Sequence, residues 1–294
     1  RDPYHPVSLV LNCQDYYFKE FTTDLDIVMT GQSPYRCHVH VWYPYPIGLK
    51  STTQVLIFSP RWGTPCNATH GACGCDNCKG HLTDLSDRMN RFKWRRRALG
   101  RDRTLMIWGV PQAFNDQDFW TRFPTGQEFL TSCTIYVIEG AVGLMAWIAP
   151  QATTEVGVEE ASGQFGRALP TMTPYLATPQ EPIEVHNGAS SNPVLARLWL
   201  APDKRSMLLM AANAMDGNPG EWSVRLPASL ENVYIKSQRI LFSSAVVSQP
   251  HLQSEATGQT GLGSLSRLGS EETGQAVLGS LGGLGCGAWI LEVA

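Results

Sequence analysis

The chain has 294 residues, 43% of them hydrophobic, enough to bury a large core and to fill two domains or one large α/β body. Its 23 basic and 26 acidic residues leave a formal charge of −3, so no global field favours nucleic acid, and no run of about 18 apolar residues proposes a membrane span. It starts at Arg1 without an initiator Met or a signal peptide and reads as processed or incomplete.

Val7 to Leu11 (VSLVL) is a continuous apolar run closing at Asn12, and Asp26 to Thr30 (DIVMT) is another. Both predict short buried strands. In CHVHVW, His38 and His40 alternate beside Cys37 but lack a carboxylate partner, and a solvent-facing pair is expected. Cys66 to Cys78 (CNATHGACGCDNC) then packs four of the chain's eight cysteines into thirteen residues. Cys73, Cys75 and Cys78 form a CxCxxC run with Cys66 and His70 upstream, enough soft ligand for a tetrahedral Zn²⁺. Asn67-Ala68-Thr69 is a glycosylation sequon, meaningful only in the secretory pathway, where cysteines oxidise to disulfides. On these residues alone both chemistries stay open.

Leu82 to Leu99 carries Leu82, Leu85, Met89, Phe92 and Leu99 at helical spacing, with Gly100 as its stop. The basic run Arg91 to Arg103 (RFKWRRRALGRDR) reads as a solvated helix face. Thr104 to Val110 (TLMIWGV) predicts a buried strand closed by Pro111-Gln112-Ala113-Phe114. Pro124-Thr125 with Glu128 opens a helix to about Glu139, Gly143 to Ile148 is a further buried strand, and Thr153 or Thr154 caps a helix to Leu169. Apolar strands alternating with amphipathic helices imply an α/β class with a parallel sheet covered on both faces.

The character changes near Pro170. Short strands follow at Val194–Leu200, Met207–Ala212, Trp222–Leu226, Ile240–Phe242 and Trp289–Val293, the pattern of an antiparallel sheet or sandwich, with a boundary at about 170 to 182. Ser248 to Gly287 is Gly, Ser and Leu rich and is expected to be a mobile insertion before the last strand. It holds no phosphate-loop motif, and neither a G-x-S-x-G elbow nor an H-E-x-x-H helix occurs in the chain.

The order DPYHPVSLVLNC, YYFKEFTTDLDIVM, YPIG, TPCNATHGACGCDNCKG, WGVPQAFNDQDFWTRFPTGQEF, GAVGLMAWIAP resembles the C-terminal half of a secreted fungal glycoside hydrolase-like protein. That resemblance covers most of residues 1 to 168 and, more loosely, the remainder. It implies a partial (β/α)8 barrel over 1–170, its last four βα units, and an antiparallel β-sandwich over 182–294 with the 248–287 insertion. SPYRCHVHVWYP and QVLIFSPR also read as inserted sequence, from retained introns or an erroneous gene model, with loops selected for function as the alternative.

The resemblance further implies a secreted, extracellular protein in which Cys66, Cys73, Cys75 and Cys78 pair as disulfides in an unassigned order and Asn67 is glycosylated. No metal and no cofactor is expected, and the expected partner is a carbohydrate, with neither nucleic acid nor membrane. The full-length parent would hydrolyse O-glycosyl bonds. Such hydrolysis usually needs two carboxyl groups, and the acid/base glutamate of this architecture comes from the fourth strand, upstream of Arg1. No catalytic residue is therefore assigned. Substrate contacts are expected at strand ends, from Asn12, Asp15, Trp108, Gln112 and Trp147, whereas Asp26, which opens a strand, is expected to be solvated or helix-capping and Glu139 to be structural. Gln112 ends the strand resembling the seventh, where a nucleophilic Glu would stand; its amide can bond a sugar hydroxyl or a neighbouring loop. A noncatalytic secreted carbohydrate-binding or cell-wall protein is the alternative.

Overall fold

The computed structural model describes residues 4–11, 15, 17–31, 57–59, 64–66, 82–114, 123–147, 156–187, 194–214, 221–225, 235–244, 275–280 and 285–293. They form two compact units that interleave in sequence. The first comprises residues 1–124 and 139–151, the second 125–138 and 152–294.

The first unit holds β1 (Ser8–Leu11), α1 (Phe18–Thr22), β2 (Ile27–Gly31), β3 (Ile57–Ser59), β4 (Thr64–Cys66), α2 (Thr83–Ala98), β5 (Met106–Val110) and β6 (Gly143–Leu144), with α3 (Gly126–Ile138) lying in the second unit. Strands β1, β2, β5 and β6 pair in that order as a parallel sheet, and β3 and β4 form an antiparallel pair. Register sets the faces. Val10, Met29 and Trp108 lie side by side on one face, and Leu11 with Thr30 on the other. Helix α2 buries Leu85, Met89 and Phe92 at helical spacing, and Phe92 meets Phe18 of α1 edge to face at 5.1 Å.

Gly100 stops α2 with φ +66°, its N–H on the Arg97 carbonyl and that of Arg101 on the Arg96 carbonyl, so both orphan carbonyls are satisfied. The basic run expected to be a solvated face is partly engaged. Arg101 donates to the carbonyls of Thr22 and, at 2.6 Å, Leu25, and Arg96 lies 3.2 Å from Asp102.

In the second unit, Thr125 and Glu128 form a reciprocal capping box at the start of α3: the Thr125 N–H donates to Glu128 Oε2 at 2.7 Å and the Glu128 N–H to Thr125 Oγ1 at 3.2 Å. Residues 128 to 138 are buried, and α3 packs on α4 (Val156–Leu176). The helix α4 is longer than expected and passes through Pro170 and Pro174. Its buried stripe, Val158, Ala161, Phe165, Ala168 and Met172, continues beyond Pro170, and both prolines sit on the exposed side, so packing outweighs the two lost backbone bonds.

Eight further strands follow: β7 (Ile183–Glu184), β8 (His186–Asn187), β9 (Val194–Leu200), β10 (Ser206–Asn213), β11 (Glu221–Arg225), β12 (Ile235–Ser243), β13 (Gln275–Ser280) and β14 (Cys286–Val293). They build a five-stranded antiparallel sheet in the order β12-β14-β10-β9-β7 and a three-stranded one in the order β13-β11-β8. Central strand β10 is buried from Met207 to Asn213, and Trp289 of β14 is fully buried with its ring over Gly287. Buried Cys133 of α3 and Cys286 of β14 are free thiols, and burial first, then their proximity, pushes the Cys133 thiol up.

Two further expectations are corrected. The strand expected over 143–148 pairs only through Gly143 and Leu144, with Trp147 returning as an isolated bridge, because it is a sheet edge with partly exposed residues. Within the 248–287 segment, Gln275–Ser280 pairs with β11 and Cys286–Gly287 already belong to β14; Ala276-Val277-Leu278 is an apolar run among glycines that a sheet edge can use.

A Cβ at Gly126 would lie 2.2 Å from the Gly157 carbonyl oxygen, so the starts of α3 and α4 touch through backbone. Gly126→Ala is expected to lower stability by about 1–3 kcal/mol, read as a lower urea midpoint at unchanged slope.

Candidate functional site

Parallel strands present their ligands at their C-terminal ends, where side chains alternate between the two faces and the following loops diverge. On the face carrying Val10 and Met29, strand β5 places Trp108 and Val110, and alternation carries Gln112 to the same face. Val10, Trp108 and Trp147, each half-buried, pack against a core of Ile27, Met29 and Val110. Trp147 is brought there by a parallel bridge to Gln112, with its N–H on the Pro111 carbonyl at 3.2 Å. Gly143 is required beside Trp108, because a Cβ there would fall 2.4 Å from the indole Cε2.

Gln112 is 1% exposed. Its Nε2 donates to the Phe114 carbonyl at 2.8 Å, which fixes the amide, while Oε1 is buried and has no hydrogen-bond partner among the described residues. A buried acceptor left unmet costs about 1–3 kcal/mol. Thr30 Oγ1, at the end of β2 on the opposite face, is also buried and without a partner among the described residues, and nothing in the sequence singled it out.

Three carboxylates among the described residues, Asp15, Asp26 and Glu139, lie elsewhere. Asp15, expected on the rim of the site, is instead held against α2 by Arg95 at 2.7 Å and Arg91 at 3.6 Å, guanidinium groups one helical turn apart. Asp26 lies at the opposite end of the sheet, where its Oδ2 accepts the Val7 N–H at 2.8 Å. Glu139 is buried and accepts from Ser86 and, at 2.8 Å, from Lys93. Ser86 and Lys93 are seven residues apart on α2, a relation to Glu139 that no local motif reveals.

Of the expected contacts, Trp108, Gln112 and Trp147 are thus brought together, Asp15 is not, and Asn12 lies outside the described residues. Cys66 ends β4, whereas Asn67, Cys73, Cys75, Cys78, His38 and His40 lie outside them. Among the described residues no group of three or more His, Cys, Asp and Glu is placed to hold a metal ion, and no helix is long and apolar enough to cross a membrane.

No family model matches the chain, and no curated protein matches it. Among solved structures, the fold has a distant likeness to CelM2, a bifunctional glucanase-xylanase protein from a metagenome library, at 10% identity and a TM-score of 0.33. The alignment covers 96% of this chain and 46% of that one, so this chain spans less than half the length of that structure.

Gln112→Leu removes the lone oxygen but also the bond to the Phe114 carbonyl, and the two losses oppose each other. Stability measured by urea unfolding is expected to change by no more than about 1 kcal/mol, whereas an amide whose role is structural would lose about 2 kcal/mol or more.

Proposed function

We propose that this chain belongs to a glycoside hydrolase-like scaffold in which the end of the parallel sheet holds a sugar ring between the Trp108 and Trp147 indoles and Gln112 Oε1. The observation that carries the reading is the gathering of the half-buried Trp108 and Trp147 indoles at the sheet end, where Trp147 bridges Gln112, whose amide oxygen has no partner among the described residues. The parallel sheet is read as part of a (β/α)8 barrel, and the antiparallel sheets as its sandwich domain, in keeping with the order of motifs from VSLVLNC to GLMAWIAP. Secretion, disulfides among Cys66, Cys73, Cys75 and Cys78, and a glycan on Asn67 belong to the same reading. Hydrolysis of O-glycosyl bonds is then the activity of the whole protein, with its carboxyl pair outside the residues described.

A second reading, a noncatalytic carbohydrate-binding protein, is favoured by one observation: Gln112 stands where a nucleophilic carboxylate is expected, and an amide supplies neither a nucleophile nor a general base. In both readings the described residues bind sugar without cleaving it.

Titration of the chain with neutral gluco-, xylo- and manno-oligosaccharides tests what the readings share. At least one series is expected to bind, and Trp147→Ala to weaken it about tenfold, which corresponds to about 1.4 kcal/mol of lost stacking. Unaltered affinity in Trp147→Ala, or no binding of any neutral oligosaccharide, would overturn the assignment.

A further inference from the structure

Far from the sheet end in sequence, and wholly within the second unit, a groove of about 420 Å³ lies between α4 and β12. Its helix wall presents Gln164, Arg167 and Thr171, spaced three and four residues apart on one face of α4, and its strand wall includes Arg239 and Ser243. Phe242, which also lines the groove, meets Phe165 of α4 at 5.5 Å between ring centres.

Arg239 reaches that side through an irregularity of the strand. Along β12, Arg239 stands opposite Ile290 of β14 and Phe242 opposite Ala288, and the register shifts between Ile240 and Phe242. Ile290 and Ala288 are two residues apart and share a face of β14, so Arg239 and Phe242 share that face as well, although three residues apart. Without the bulge, Arg239 and Phe242 would point to opposite sides. A bulge on an edge strand that re-aims one side chain is a recurring device beside binding sites.

Two guanidinium groups consequently line one groove. Among the described residues neither Arg167 nor Arg239 has an ion-pair or hydrogen-bond partner, and Glu160, one turn before Gln164 on the same helix, pairs with neither. Like charges sharing a concave surface repel, and an oxyanion between them would remove the repulsion and accept several hydrogen bonds in the fork geometry that guanidinium favours. Gln164, Thr171 and Ser243 supply neutral donors around the same space.

We infer that the groove between α4 and β12 is an oxyanion-binding site, built by Arg167 and by Arg239 as the bulge of β12 re-aims it, that takes a carboxylate, sulfate or phosphate group. The oxyanion comes either free or as the uronate of an acidic saccharide. This site is independent of the sugar contacts at Gln112, and its fate does not depend on theirs.

The test is calorimetric titration of the full chain at low ionic strength with sodium sulfate, with a galacturonic acid trimer, and with a neutral galactose trimer as control. Either anionic probe is expected to bind while the control does not, and binding is expected to weaken with added salt. Arg167→Gln/Arg239→Gln should lower affinity at least tenfold with an unchanged circular dichroism spectrum; both side chains are exposed, and the single variants serve if the double variant does not fold. Binding of the trimer tenfold tighter than sulfate assigns the site to an acidic saccharide, and equal or weaker binding assigns it to a free oxyanion. No binding of either anion, or binding that survives both substitutions, overturns the inference.

Discussion

The parallel pairing of β2 with β5 is the constraint on which the proposed sugar site depends. With Met29 opposite Trp108 and Gly31 opposite Val110, the pleat decides which side chains share a face, and one residue of slippage would send Trp108 and Gln112 to the side carrying Thr30. Backbone bonds from Val142 to the Ile107 carbonyl, from Met145 to the Gly109 carbonyl and from Trp147 to the Pro111 carbonyl extend the ladder beyond its short last strand. Trp147 is thereby placed beside Gln112 without a long strand of its own.

Much of this was legible because the signals are local. The stripe of Leu82, Leu85, Met89 and Phe92, with Gly100 after it, reads as a helix and its stop, and the geometry of Gly100 and Arg101 is that of the expected C-terminal cap. Thr125 and Glu128 mark the start of α3 by the same logic. Apolar runs around Val28 and Ile107 are too short for a helix and lie in strands, whereas the run around Leu9 forms a strand in which Ser8 and Leu9 are exposed, against the buried strand expected.

What was not legible depends on partners distant in sequence. Pro170 is a strong local reason to end a helix, yet the buried face of α4 extends to Met172. Asp15 follows a strand end, as a site residue would, but two arginines eighty and seventy-six residues later compete for it. The Gly-rich stretch before β14 conceals Ala276-Val277-Leu278, whose pairing with β11 no periodicity announces. The bulge in β12 is likewise invisible in IKSQRILFS, because it depends on register with β14.

The two sites invoke opposite physics. In the proposed sugar site, uncharged groups at the sheet end would select the ligand by stacking and one hydrogen bond. In the α4 groove charge selects it, and salt would screen it. The most direct measurement for the central claim is a crystal structure of the chain with a bound neutral oligosaccharide. The account predicts a ring stacked on Trp147 or Trp108 with a hydroxyl within hydrogen-bond distance of Gln112 Oε1. A sugar seated elsewhere, or a protein group already donating to that oxygen, would contradict it.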